Sequence, residues 1–110
     1  APLSGVWELF RGPEAIPVWL EETRWCQPVM YVSALAGVER LRQRRPGCLD
    51  RCQAVAGLGL GELAALTVAG VMDFEVGLEL AALRGEAMHA AAEASPQRML
   101  SIAGLCRGDV

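Results

Sequence analysis

Residues 57–66 read Gly-Leu-Gly-Leu-Gly-Glu-Leu-Ala-Ala-Leu, with glycine at three alternate positions. An apolar run, Ala54-Val55-Ala56, leads into the glycines, and a helical pattern leaves them. A tight glycine turn between a strand and a helix is where α/β proteins place a phosphate or a nucleophile. Three other groups invite a chemical reading: Arg84, the lone His89, and the cysteine pair Cys48 and Cys52.

The phosphate reading fails on spacing. A dinucleotide fingerprint needs G-x-G-x-x-G, then an acidic residue about 20 positions on at a strand end. Here Gly57, Gly59 and Gly61 stand two apart, and the acidic candidates Glu75 and Glu79 fall in an expected helix. No Gly-Lys-Ser/Thr follows, so a phosphate loop is excluded as well. The nucleophile elbow G-x-S-x-G fits better, because Gly57 and Gly61 have its outer spacing. Its middle position is Gly59, which adopts positive φ easily and has no oxygen to acylate. Neither Cys52, on or before the strand, nor Thr67, two turns along the following helix, can reach the point of the elbow.

The remaining groups read as structural. Cys48 and Cys52 form C-x₃-C, but no second cysteine pair completes a zinc site around the only histidine. Cys26, Cys48, Cys52 and Cys106 are expected as reduced, mostly buried thiols in a reducing compartment. No metal and no cofactor are expected. All ten basic residues are arginine, in a chain of formal charge −3. Arg40, Arg42, Arg44 and Arg45 suit the negative end of a helix, and no basic face marks a nucleic-acid partner. No apolar run approaches the ~20 residues of a membrane span, and no targeting signal is evident.

The chemistry requires elements to position it. With 110 residues, 53% of them hydrophobic, the chain suits one small domain with a core. Residues 1–25 are irregular, interrupted by Pro2, Pro13 and Pro17, with Trp7, Trp19 and Trp25 as packing anchors. Pro28 suits the first turn of a helix whose stripe is Val29, Val32, Leu35, Ala36, Val38 and Leu41, ending before Pro46. A short strand is expected over 53–56, and a helix over 62–69 stopped by Gly70. Asp73 caps a longer helix, 74–94, with Leu78, Leu80, Leu83, Ala87 and Met88 as its buried side. Residues 99–103 read as a second strand, closed by Gly104. Two strands are few for a parallel sheet, so the pattern implies a piece of a larger α/β protein or a sheet completed by another chain.

The stretch 57–66, then Ala69-Gly-Val-Met-Asp-Phe, then Leu83-Arg-Gly-Glu-Ala-Met, resembles the malonyl-CoA:acyl carrier protein transacylase family. In that family the elbow runs G-H-S-L-G-E-x-x-A-L, followed by an A-G-x-x-x-F step and an R-x-x-x-M segment. Cys26-Gln-Pro is similar to the family's Q-P-A helix start, and Met99-Leu-Ser-Ile-Ala-Gly to a strand entering its small subdomain. The match runs in order over residues 20–104 and looks most like the animal mitochondrial branch. Residues 15–19 look like a short extra piece there, and the likeness dissolves after Gly104.

The resemblance implies an α/β fold: a helix-rich portion of the large hydrolase-like subdomain of an acyltransferase, with the start of the small ferredoxin-like subdomain. The expected division is 1–25 irregular, 26–98 partial large subdomain, and 99–110 small-subdomain start with a divergent tail. It implies transfer of malonyl from coenzyme A to acyl carrier protein, in fatty acid synthesis and in the mitochondrial matrix, with the cytoplasm as alternative. In such a transfer a serine is acylated, a histidine activates it, and an arginine holds the malonyl carboxylate. Arg84 matches that arginine, Leu60 the donor of a backbone oxyanion N–H, and Gly59 the serine position. Leu58 stands where a histidine is usual. A G-Q-G-S-Q loop is missing from residues 1–25, and the family's catalytic histidine falls beyond residue 110. His89 lies where relatives carry an ordinary polar residue. The expectation is a transferase homologue that is inactive with this sequence, or alternatively a non-catalytic module binding acyl carrier protein or another partner chain.

Overall fold

A computed structural model describes residues 18–104 of the chain. Trp7, Pro2, Pro13, Pro17, Cys106 and the divergent tail lie outside the described residues. A single 3-10 turn, Val18–Glu21, precedes three α-helices. These are α1, Thr23–Arg44, α2, Gly61–Val68, and α3, Phe74–Ala94. Among the described residues there is no strand. The molecule is a helical assembly in which α1 and α3 make the principal contact and α2 packs on both.

The two expected strands are therefore corrected. Residues 53–57 and 96–103 belong to no helix or ladder, and the first segment is exposed along its length. An apolar β-prone run becomes a strand only when a neighbour satisfies its backbone groups. No such neighbour exists among the described residues.

The start of the first helix is a second correction. Pro28 sits inside α1, five residues after Thr23, rather than in the first turn. It cannot donate to the carbonyl of Arg24, so one intrahelical bond is lost. That carbonyl faces α3 at Gly85, where a Cβ would come within 3.1 Å of it and 3.0 Å of Arg24 Cα. Packing against a glycine thus covers the place where the proline breaks the ladder.

Helix ends elsewhere follow local rules. Gly70, at φ +75°, ends α2 in a Schellman motif: Val71 N donates to Leu66 O at 3.0 Å and Gly70 N to Thr67 O at 3.0 Å. Asp73 takes the N-cap of α3 in an extended conformation, and Ser95 its C-cap, as expected from sequence. The cap of Asp73 is made by its backbone, whose carbonyl accepts from Gly77 N at 3.0 Å.

Of the expected buried side of α3 only Leu78 packs against the core, half-buried, and Ala87 is exposed. Gly77, Ala81 and Gly85, spaced by four, are its buried residues, while Leu80, Leu83 and Met88 are exposed by 42%, 66% and 40%. Opposite them α1 buries Gln27 and Tyr31, also spaced by four. Residues four apart share a face, and small side chains let two backbones approach closely enough to enclose large ones. Trp19 and Trp25 are likewise exposed, Trp25 lying under the Arg24 guanidinium at 5.5 Å. Cys52 is exposed and Cys26 and Cys48 half-buried, so none of the three described cysteines is fully buried.

Tyr31 joins all three helices. Its hydroxyl lies 2.8 Å from Thr67 Oγ1 on α2 and 3.1 Å from the carbonyl of Phe74, which opens α3. Thr67 Oγ1 spends its proton on Leu63 O at 3.0 Å, so the tyrosine proton is the one shared between Thr67 and Phe74. The ring packs on Phe74 with centroids 5.6 Å apart. Space for the hydroxyl comes from Gly77, where a Cβ would stand 2.0 Å from the Tyr31 oxygen. Gly77→Ala should therefore destabilise the chain by about 1–3 kcal/mol. Combined with Tyr31→Phe it should cost less than the two separate losses added, measured by urea unfolding. Simple additivity would show that the two residues are not in contact.

Candidate functional site

The glycine turn is built from two different needs for glycine. At Gly57 the need is space: a Cβ would fall 2.0 Å from Gly61 O and 2.5 Å from Glu62 N. Both are backbone atoms of the turn itself and cannot swing aside. At Gly59 the need is conformational, since φ is +58° while a Cβ would make only an ordinary contact with a side chain. Gly59 is thus the point of the bend and is half-buried, between an outward Leu58 and an inward Leu60. Leu58 beside it is 93% exposed and Leu60 only 9%.

The turn winds directly into α2. Gly61 N donates to Leu58 O, Glu62 N to Gly59 O and Leu63 N to Leu60 O, at 2.9, 3.1 and 3.1 Å. These bonds do not use the Leu60 N–H, which belongs to the unsatisfied donors of a helix start. Glu62 in the first turn suits the positive end of the helix.

Arg84 reaches this bend from α3. A Cβ on Gly59 would lie 3.8 Å from Arg84 Nη2. Two residues 25 positions apart in sequence therefore meet at one point, and sequence resemblance had singled out both. Ion pairs among the described residues include Arg24 with Glu22 at 2.7 Å and Arg42 with Glu39 at 3.1 Å, neither involving Arg84. Its guanidinium is held instead by a neutral group: Nη1 donates to Gln27 Oε1 at 2.5 Å. His89, five residues on, is displaced about 140° around the helix from Arg84. Thr67 is committed to the Tyr31 contact and is not free to act as a nucleophile.

Gln27 entered the sequence reading only within the Cys26-Gln-Pro helix start, without a role at the site. It is 5% exposed and is the only buried polar residue of the described core. Its Nε2 donates to Thr23 Oγ1 at 2.8 Å and to Met88 Sδ at 3.2 Å. Both amide hydrogens and the amide oxygen are thereby used. The signal available in the sequence was the Cys26-Gln-Pro match, since a polar side chain that turns out buried is retained only with partners. No group of three or more His, Cys, Asp or Glu side chains among the described residues is placed to hold a metal.

What this corner can do chemically is bounded by its atoms. It presents a guanidinium edge, a helix N-terminus and a bare glycine. The first two attract an anion, and the third offers no nucleophile.

Comparison with known proteins gives the setting. The chain is 47% identical to mitochondrial malonyl-CoA-acyl carrier protein transacylase of Mus musculus over 94 residues, 86% of this chain and 24% of that protein. It is 46% identical to the Homo sapiens protein of the same name over 85 residues, 77% of this chain and 22% of that protein. Malonyl CoA-acyl carrier protein transacylase of Mycolicibacterium smegmatis is 30% identical over 102 residues, 93% of this chain and 34% of that protein. No protein-family profile matches the chain. The class is thus that of an acyltransferase, met here through its helical part. Within that class the chain belongs to the malonyl-CoA–acyl carrier protein transacylase family as a partial homologue, spanning about a quarter of the length of the mammalian relatives it matches.

The two glycine requirements predict different tolerance. Gly57→Ala should cost more stability than Gly59→Ser, because the first meets fixed backbone and the second only the ~1–2 kcal/mol of positive φ. Urea unfolding of both variants measures the order, and equal or reversed costs would contradict this geometry.

Proposed function

We propose that this chain is part of the large subdomain of a malonyl transacylase homologue that keeps a carboxylate-binding corner and lacks the nucleophile. The observation that carries this reading is the position of Arg84 Nη2, 3.8 Å from the Cβ position of Gly59. A planar guanidinium beside the elbow is suited to a carboxylate held through two parallel N–H···O bonds. Leu60 N–H, at the start of α2, is the group proposed to face a thioester carbonyl oxygen. Gly59 occupies the nucleophile position, so no covalent acyl intermediate can form there.

The ligands in this reading are malonyl-CoA and acyl carrier protein, which the names of the relatives contain. Fatty acid synthesis in the mitochondrial matrix is part of this reading, supported by the likeness to proteins named as mitochondrial. The bacterial relative keeps a cytoplasmic setting as the alternative. Residues 99–104 would open the small subdomain once a neighbouring strand is supplied.

A second reading, as an interaction module, is favoured by residues 53–57. They lie exposed without a ladder, beside a depression of about 330 Å³ lined by Val55, Ala56, Gly57, Ala65 and Leu66. Unpaired backbone of this kind is a template for a partner strand. Acyl carrier protein is one partner; a chain that completes the sheet is another.

Intact-mass measurement after incubation with malonyl-CoA should show no added malonyl group. An adduct of malonyl mass would overturn the non-catalytic assignment. Titration with malonate, followed by NMR, should show binding that Arg84→Ala weakens about tenfold or more. For the second reading, amide exchange over 53–57 should slow on adding acyl carrier protein. Unchanged exchange there would exclude acyl carrier protein as the strand-pairing partner.

A further inference from the structure

The R-x-x-x-M spacing, Arg84 and Met88, places two side chains on one face of α3, four residues apart. Both meet the same amide. Gln27 Oε1 accepts from Arg84 Nη1, and Gln27 Nε2 donates to Met88 Sδ at 3.2 Å and to Thr23 Oγ1 at 2.8 Å. We infer that Met88 is a positioning residue for the anion-binding corner, acting on Arg84 through the orientation of Gln27.

The inference rests on what each partner can do. An arginine guanidinium only donates, so it demands the amide oxygen. A thioether sulfur only accepts, so it demands the amide nitrogen. Thr23 has a hydroxyl that serves either end of the amide and imposes no preference. Arg84 and Met88 are therefore the two partners that distinguish one orientation of Gln27 from the other. With both present the amide is held at each end and cannot rotate away from the guanidinium. Nη1 is then occupied, which leaves Nη2 as the atom facing Gly59.

Burial makes this constraint effective. Gln27 is 5% exposed, so water is poorly placed to replace a lost partner. Met88 is 40% exposed, so part of its side chain contacts solvent while the sulfur meets Gln27. A leucine at 88 would keep comparable bulk and remove the acceptor, releasing one end of the amide.

This role deepens the carboxylate-binding reading and rests on it for its ligand, but the orientation itself can be tested without ligand. In Met88→Leu, the Gln27 side-chain amide protons and the Arg84 side-chain N–H resonances should shift relative to the parent chain. Malonate affinity should fall about fivefold in Met88→Leu, the scale of one ordinary hydrogen bond. In a Gln27→Leu background the same Met88→Leu change should have little further effect. A full additional loss there would mean that Met88 acts by packing alone and would overturn the inference. Unchanged Gln27 and Arg84 resonances in Met88→Leu would overturn it too, whether or not malonate binds. Failure of the parent chain to bind malonate, with those resonances shifted as expected, would count against Arg84 as a carboxylate site and leave the positioning role standing.

Discussion

The close approach of α1 and α3 is the constraint on which the rest depends. It exists because α3 presents Gly77, Ala81 and Gly85 to α1. At one end of this seam the Tyr31 hydroxyl fits over Gly77 and reaches both α2 and the first residue of α3. One turn away Gln27 spans from Thr23 to Arg84 and Met88. The same line of α1, Gln27 and Tyr31, therefore carries both the contact that assembles the helices and the contact that aims Arg84. A larger side chain along the α3 seam would separate the helices and move the guanidinium away from the elbow together. Fold and site are two consequences of one packing arrangement.

Much of this was legible in the sequence where local chemistry decides. The bounds of the 74–94 helix followed from Asp73 and Ser95-Pro96, and the end of the second helix from Gly70. The family resemblance singled out Gly59 and Arg84 separately, and the geometry brings them to one point. Legibility failed where distant neighbours decide. The strand expected over 53–56 has no ladder because pairing is supplied from elsewhere in a chain, not by the segment's own residues. The buried face of α3 was misread because hydrophobicity ranks leucine above glycine. Burial here follows from close approach, which rewards the absence of a side chain. Pro28 was placed in the first turn by a positional preference that tertiary packing at Gly85 overrides.

Gln27 shows a third kind of limit. A glutamine in a helix is unremarkable by propensity, and its value lies wholly in partners 57 and 61 residues away. Those partners are visible in the sequence only as the Arg84 and Met88 of a spaced motif. The motif thus encodes a relation to a residue outside it. Spacing of four on one helix was a sign that both side chains serve the same neighbour, and the neighbour supplied the reason.

The elbow separates two properties that an acyl-transfer site normally combines. Its bend depends on Gly57, on the bonds from Gly61 and Glu62, and on positive φ at residue 59. None of these requires a hydroxyl, and a glycine at the point of the bend relieves the ~1–2 kcal/mol that another residue would store there. The proposed anion-binding edge, Arg84 with Gln27 and Met88 behind it, is held by α1 and α3 and not by the turn. Loss of an oxygen at residue 59 therefore leaves both the bend and the arginine unstrained. Among the described residues no thiol or hydroxyl lies at that point in its place, since Thr67 is bonded to Tyr31 and Leu63. The proposed carboxylate contact would not depend on residue 59, because its atoms lie on other elements. The turn and the proposed corner are thus set by different parts of the packing.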